Sequence, residues 1–184
     1  VNGEKKTGVT IMKTEECLDT GDIIAVYETE IGETETAGEL SERLSEIGAE
    51  HICEVLTDIE NNTATYKKQN DAEATVVKTI KKEQTEVYFT KSGREVACFI
   101  NGMSPLAFAV CNGKKFKFHR AKAAENNGEA GEVILADKKL IIGCGVNSVE
   151  ILEIQEEGGK KLTAKDFLNG RKLKLGDRFG KKDA

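Results

Sequence analysis

TGVTIMKTEECLDTGD, residues 7–22, decides how the first part of this chain is read. Val9, Ile11 and Met12 are apolar and partly β-branched, residues 13–17 form a polar loop, and LDTGD at 18–22 makes a glycine-containing turn before the apolar run IIAV at 23–26. Short apolar runs bounded by Asp/Gly clusters read as strands, so the order is strand, acidic turn, strand. The turn itself has two readings. Asp side chains bond nearby backbone N–H groups and Gly tolerates positive φ, which makes Asp-Thr-Gly-Asp ordinary turn chemistry. The alternative is a catalytic carboxylate, and DTGD alone would equally suit an aspartic-protease-like loop.

Downstream, Thr36-Ala-Gly-Glu39 has the spacing of a capping box. Leu40, Leu44, Ile47, Ile52, Val55 and Ile59 then recur at mostly three-to-five-residue steps, which predicts a helix ending near Asn61-Asn62. Strand, strand, helix matches the closing elements of an open α/β domain and is too little for a complete doubly wound sheet. If the strands belong to a parallel sheet, they lack neighbours here, which predicts an exposed edge and an uncovered helix face. Residues 63–74, TATYKKQNDAEA, are polar and aperiodic and read as a linker. Beyond them Ser92-Gly-Arg-Glu95 is a second capping box, opening a short helix that ends near Asn101-Gly102. Asn112-Gly113 is a hairpin signal between residues 108–110 and 114–118, and short apolar runs follow at 133–135, 140–142 and 149–154. Such spacing predicts a small β-barrel or sandwich.

The chain has 184 residues, 39% apolar and 32% charged, enough for a core. No run approaches the ~18 apolar residues that span a bilayer. VNGEKK lacks the apolar centre of a secretory signal, so the default location is cytoplasmic. Cys17, Cys53, Cys98, Cys111 and Cys144 are odd in number and widely spaced, without metal-ligand spacing, which predicts reduced structural thiols and no metal. His51 and His119 are isolated and read as structural or surface histidines. Charge is divided unevenly. Residues 1–60 carry 16 acidic against 4 basic side chains, a formal −12, and residues 61–184 the other 16 acidic against 23 basic, a formal +7, for −5 in all. A basic second unit is either a polyanion-binding surface or a barrel solvated by lysine.

Residues 7–22 resemble the methionyl-tRNA formyltransferase family, whose members carry TGVTIM, a loop and LDTGD at the end of their catalytic domain. The resemblance continues through SPLAF at 104–108, NGKKFKFHRA at 112–121 and ILEIQEEGGKKLTAKDFLNGRKLKLGDRF at 151–179. It implies the end of a Rossmann-like formyltransferase domain at 1–62, a linker at 63–74, and a mostly β, OB-fold-like tRNA-binding barrel at 75–184. It covers only the second half or so of a typical member. It further implies 10-formyltetrahydrofolate as co-substrate and initiator methionyl-tRNA as partner, in translation initiation.

By that resemblance Asp19 is the catalytic aspartate, and Glu16, Cys17 and Leu18 form the loop whose backbone lies against the folate head. Cys17 stands where the family has glycine, and Asp22 reads as a turn cap. The family's histidine and asparagine lie in an NxHxSLLP motif that this chain does not contain, so its catalytic set is expected to be incomplete without an amino-terminal half. The tRNA-facing residues are Lys67 and Lys68 in the linker, Lys114, Lys115 and Lys117 on a barrel strand, and Lys160, Lys161, Lys165, Arg171, Lys172, Lys174 and Arg178 towards the end. With few aromatics among them, backbone contact is expected rather than base stacking. Pro105 stands alone in a turn where the family has two prolines, and Asn101 replaces a family arginine. Two other functions fit the residues: a non-catalytic RNA-binding or interaction module, and a formyltransferase acting on another amine.

Overall fold

The computed structural model describes residues 1–17, 19–170 and 172–180, apart from the side chain of Asp71. Leu18 and Arg171, both nominated above, lie outside the described residues. The chain divides into two units, residues 5–31 with 39–79 and residues 1–4, 32–38 and 80–184.

In the first of these, β1 (Lys6–Met12) and β2 (Ile23–Glu30) pair antiparallel, with Val9 opposite Tyr27 and Ile11 opposite Ala25. The two strands are thus a hairpin and not neighbours in a parallel sheet. A connection as short as residues 13–22 has no room for a crossover helix, so the strands fold back as a hairpin. Alternation puts Val9, Ile11, Ala25 and Tyr27 on one face, and α1 (Ala37–Glu60) packs there. The Tyr27 ring stacks on His51 at 3.7 Å, and Arg43 reaches Thr29 Oγ1 at 2.5 Å and Glu30 O at 2.6 Å.

A helix of this length extends about 36 Å and an eight-residue strand only about 26 Å, so the hairpin cannot cover it. Val55 alone on α1 is buried. Ile52, Leu56 and Ile59 are 38%, 55% and 36% exposed, so the apolar stripe read from the sequence splits into a covered and an uncovered part. The expected uncovered helix face is present.

The second unit is built on a six-stranded antiparallel sheet. α2 (Gly93–Met103) begins at Ser92, whose Oγ accepts from Glu95 N while Ser92 N donates to Glu95 Oε2, the capping box read from the sequence. β3 (Phe108–Cys111) turns into β4 (Lys114–Ala124) through Asn112 and Gly113, at φ 50° and 74°. That is the pair of positive angles a type I′ turn requires. β5 (Val133–Ala136), β6 (Leu140–Gly143), β7 (Ser148–Glu156) and the short β8 (Leu162–Thr163) complete the order β3-β4-β7-β6-β5, with β8 also on β7. α3 (Ala164–Asn169) follows, capped by the Thr163 hydroxyl.

The sheet curls because its two edges are joined by one late stretch. Val133 N donates to Asp177 O, Phe179 N to Gly131 O and Gly180 N to Val110 O, so residues 177–180 lace the β5 side to the β3 side. Phe179 drops into the centre, with Phe89, Phe116 and Phe118 ring centroids 5.4–5.8 Å away. Ile100, Phe118, Leu140, Ile142, Val149, Ile151 and Ile154 around them are wholly buried. Asn101 belongs to this core. Its Nδ2 donates to Ala121 O and its Oδ1 accepts from Ala121 N, both at 2.9 Å, so a side-chain amide serves β4 as a backbone partner would.

Candidate functional site

The acidic loop is held by four separate restraints. Lys13 N donates to Asp22 O at 2.9 Å across its neck, and Thr20 Oγ1 donates to Cys17 O at 3.1 Å inside it. Gly21 is buried against the opposite limb: a Cβ there would fall 1.6 Å from Lys13 O, so no other residue fits. From outside the loop, Gln69 Nε2 donates to Asp19 O at 2.9 Å and Gly21 O at 2.8 Å.

Held in this way, Asp19 adopts φ 57°, a left-handed conformation uncommon outside glycine. Its side chain is exposed, and among the described residues the carboxylate has no hydrogen-bond or ion-pair partner. Asp is among the residues that tolerate this region, which occurs in tight turns as well as at functional sites. Asp22, by contrast, closes the loop neck through its backbone. Glu16 and Cys17 are exposed beside Asp19, and their backbone N–H groups make no hydrogen bond among the described residues. Glu15 is drawn to Lys13 at 3.1 Å and raises the lysine's pKa above its ordinary value.

Neither histidine is near a role of this kind. His51 is stacked on Tyr27 with Glu54 3.7 Å from its Nδ1. His119 Nε2 lies 3.0 Å from Gln155 Oε1, and burial lowers its pKa, with Lys161 and Lys117 adding to the effect. The cysteines are all free. Burial pushes Cys111 up to about 11 and Cys144 up to about 12, while Cys17 and Cys53 are exposed. Among the described residues no three His, Cys, Asp or Glu side chains cluster as a metal site, and no helix is long and apolar enough to cross a membrane.

The nominated basic residues divide by partner. β7 carries Glu150, Glu153 and Glu156, each between two cations: Lys122 and Lys139, Arg120 and Lys161, Lys114 and Lys172. Arg178 pairs with Glu129. Four of the nominated side chains are therefore locally neutralised. Lys115 lies over the Phe108 ring at 3.7 Å, and Lys67, Lys68, Lys117 and Lys160 have no ion pair among the described residues. Lys117 stands opposite Phe108 on β3 and Gln155 on β7, and Gln155 in turn donates to Gly159 O beside Lys160. Lys115 and Lys117 thus share the outward face of β4.

Comparison with known proteins fits this geometry. Residues 79–172 match the family described as "Formyl transferase, C-terminal domain", and residues 1–56 match "Formyl transferase". The chain belongs to the formyl transferase family. Curated relatives named methionyl-tRNA formyltransferase include one from Koribacter versatilis, 38% identical over 97% of this chain, and one from Geobacter metallireducens, 36% identical over 98%. The chain spans 58% and 59% of their lengths. Among solved structures, methionyl-tRNA formyltransferase from Clostridium thermocellum matches with a TM-score of 0.52 at 28% identity, over 77% of this chain and 59% of that one. An N-formyltransferase from Helicobacter canadensis, in complex with folinic acid and dTDP-3-aminofucose, shares the fold with a TM-score of 0.67 at 21% identity, over 84% and 57%. Members of this family transfer formyl groups, and the α/β fragment followed by a mostly β domain is its architecture.

Sequence reading nominated Asp19 and its loop but gave no sign of the contact from Gln69, which lies fifty positions away in a polar stretch. Isolated side-chain-to-backbone contacts leave no periodic signal in a sequence.

Proposed function

We propose that this chain is the carboxy-terminal part of a methionyl-tRNA formyltransferase, which moves a formyl group from 10-formyltetrahydrofolate to the amino group of initiator methionyl-tRNA. The observation that carries the reading is a likeness to proteins of that name that runs over nearly all of this chain, with Asp19 exposed on a restrained loop and its carboxylate without a partner among the described residues. The co-substrate supplies the formyl group. Asp19 supplies a fixed negative charge, which orients an imidazole and stabilises it as it takes up the proton released by the attacking amine. The backbone N–H groups of Glu16 and Cys17, unpaired among the described residues, suit the hydrogen-bonding edge of a folate head, and Leu18 completes that loop in sequence. Residues 1–62 are then the end of the catalytic domain, 63–74 the linker and 75–184 the tRNA-binding barrel.

For the RNA, we assign phosphate contact first to Lys115, Lys117 and Lys160 on the barrel and to Lys67 and Lys68 in the linker, which have no carboxylate partner among the described residues. Lys114, Lys161, Lys172 and Arg178 must give up carboxylate partners to reach phosphate and contribute less. Arg171 belongs to the same basic tail by sequence.

The test joins an amino-terminal formyl transferase segment bearing the NxHxSLLP motif to this chain and assays formylation of methionyl-tRNA. Activity is expected, and Asp19→Asn should reduce kcat by two or more orders of magnitude, since it removes the charge that serves the base. A folded, completed chain that leaves methionyl-tRNA unformylated overturns the reading.

A further inference from the structure

The polar stretch after α1 does more than connect. Lys67 N donates to Ile23 O at 2.9 Å and Ile23 N to Lys67 O at 2.8 Å, a two-bond bridge that runs this stretch along the start of β2. Two residues on, Gln69 is half-buried while its neighbours Lys68 and Asn70 are exposed. Its amide nitrogen has two protons and meets two carbonyls, Asp19 O and Gly21 O, with Met12 Sδ 3.6 Å away. The carbonyls flanking Thr20 are thus drawn to one point, which closes the turn around the left-handed residue.

We propose that Gln69 is a positioning residue for the catalytic carboxylate: its amide holds Asp19 in the left-handed conformation and so sets where the carboxylate points. The proposal rests on the reading of Asp19 given above. A glutamine side chain has the required length and two donors on one nitrogen. Asparagine is one methylene too short, leucine matches the volume without a donor, and an ionised glutamate faces both carbonyls with acceptors only. The bridge at Lys67 fixes the height of Gln69 along the hairpin, so linker and loop are one assembly.

NMR of the chain itself is the direct test. A residue at positive φ gives a strong intraresidue HN–Hα NOE. That signal at Asp19 is expected to weaken several-fold in Gln69→Leu, with the amides of Lys13 and Ile23 exchanging about tenfold faster, as for the loss of one or two hydrogen bonds. Gln69→Glu is expected to behave like the leucine variant at pH 7. It should recover part of the NOE and protection once its carboxyl protonates, around pH ~4.3, because a protonated carboxyl again has one donor. A role in packing alone would not depend on pH. An unchanged Asp19 NOE in Gln69→Leu, or a Gln69→Glu variant indifferent to pH, overturns the proposal. In the completed enzyme, Gln69→Leu should lower kcat tenfold or more and leave the KM for folate within about twofold. If the completed wild-type chain formylates nothing, the functional reading fails while the NMR result still decides what Gln69 does.

Discussion

The hairpin–helix unit and the barrel obey opposite rules of assembly. In the barrel, α2, the sheet and α3 share one apolar centre, and side chains such as Phe118, Ile142 and Ile154 have no exposed surface. In the hairpin–helix unit most apolar side chains are only half-buried, α1 buries a single residue, and Leu56 is more exposed than covered. Burying apolar surface stabilises by roughly 25 cal/mol per Å², so the barrel holds most of the stabilising burial. The other unit relies on polar fastenings: Arg43 to β2, Lys67 to Ile23, and Gln69 to the loop. Fold is concentrated in one unit and the nominated chemistry in the other.

Thiol labelling should separate the two most widely. Cys17 and Cys53 are exposed on the hairpin–helix unit, whereas Cys111 and Cys144 are buried in the barrel with pKa values raised to about 11 and about 12. Because the thiolate is the reactive form, an alkylating reagent at pH 8 should modify the first pair orders of magnitude faster, as read by peptide mass spectrometry. Comparable rates at all four would erase the contrast. Next in size is Phe118→Ala, which should destabilise the barrel by about 3–5 kcal/mol in urea unfolding. Val55→Ala, on a helix with one covered face, should cost at most about 2 kcal/mol. Asn101→Ala leaves the N–H and C=O of Ala121 unpaired in the core and should cost about 2–4 kcal/mol, from two buried groups at about 1–3 each, less any relaxation. Asn101→Asp should be no better, having no donor for Ala121 O.

Smaller effects follow at the surface. The Ser92 side chain and backbone hold the Glu95 carboxyl below its usual pKa. A lowered folded-state pKa stabilises fully above the unfolded carboxylate value, and that contribution disappears as pH falls through the folded one. The thermal midpoint of Glu95→Ala should therefore trail the wild type by a constant amount near neutrality and converge with it in acid. A gap independent of pH would show that the capping carboxylate is not the cause. Smallest of all, Leu56→Lys should change stability by no more than about 0.5 kcal/mol, as for an exposed site. A larger loss would show that the helix face is covered after all.

Much of this was legible from residue order. Asn112-Gly113 requires two positive φ angles and has them; Ser92 and Glu95 cap α2 as their spacing predicts. The alternation in 116–118 put Phe116 and Phe118 inside the barrel. Local rules acting over a few residues suffice for such features. What escaped depends on partners far apart in sequence. Asn101 looked like a lost charge and is a surrogate for a backbone strand partner. Lys114 and Lys172 looked like free cations, and both meet Glu156, which lies on another strand. The Asp19 loop was recognisable, but nothing in the aperiodic stretch around Gln69 announced which of its amides would face inward. Helical and strand periods report burial along one element. Which surface lysine finds a carboxylate is decided by register between elements.

The lacing by residues 177–180 also orders events during synthesis. Gly131 and Val110 bond to Phe179 and Gly180, which leave the ribosome long after them. Until then β3 and β5 are open strand edges, and Phe89, Phe116 and Phe118 lack the ring that fills the space between them. Contacts so distant along the chain form slowly, and open edges invite pairing with other chains. The nascent barrel therefore passes through an unclosed stage whose length is set by the rate of translation, and its last aromatic side chain serves as the latch.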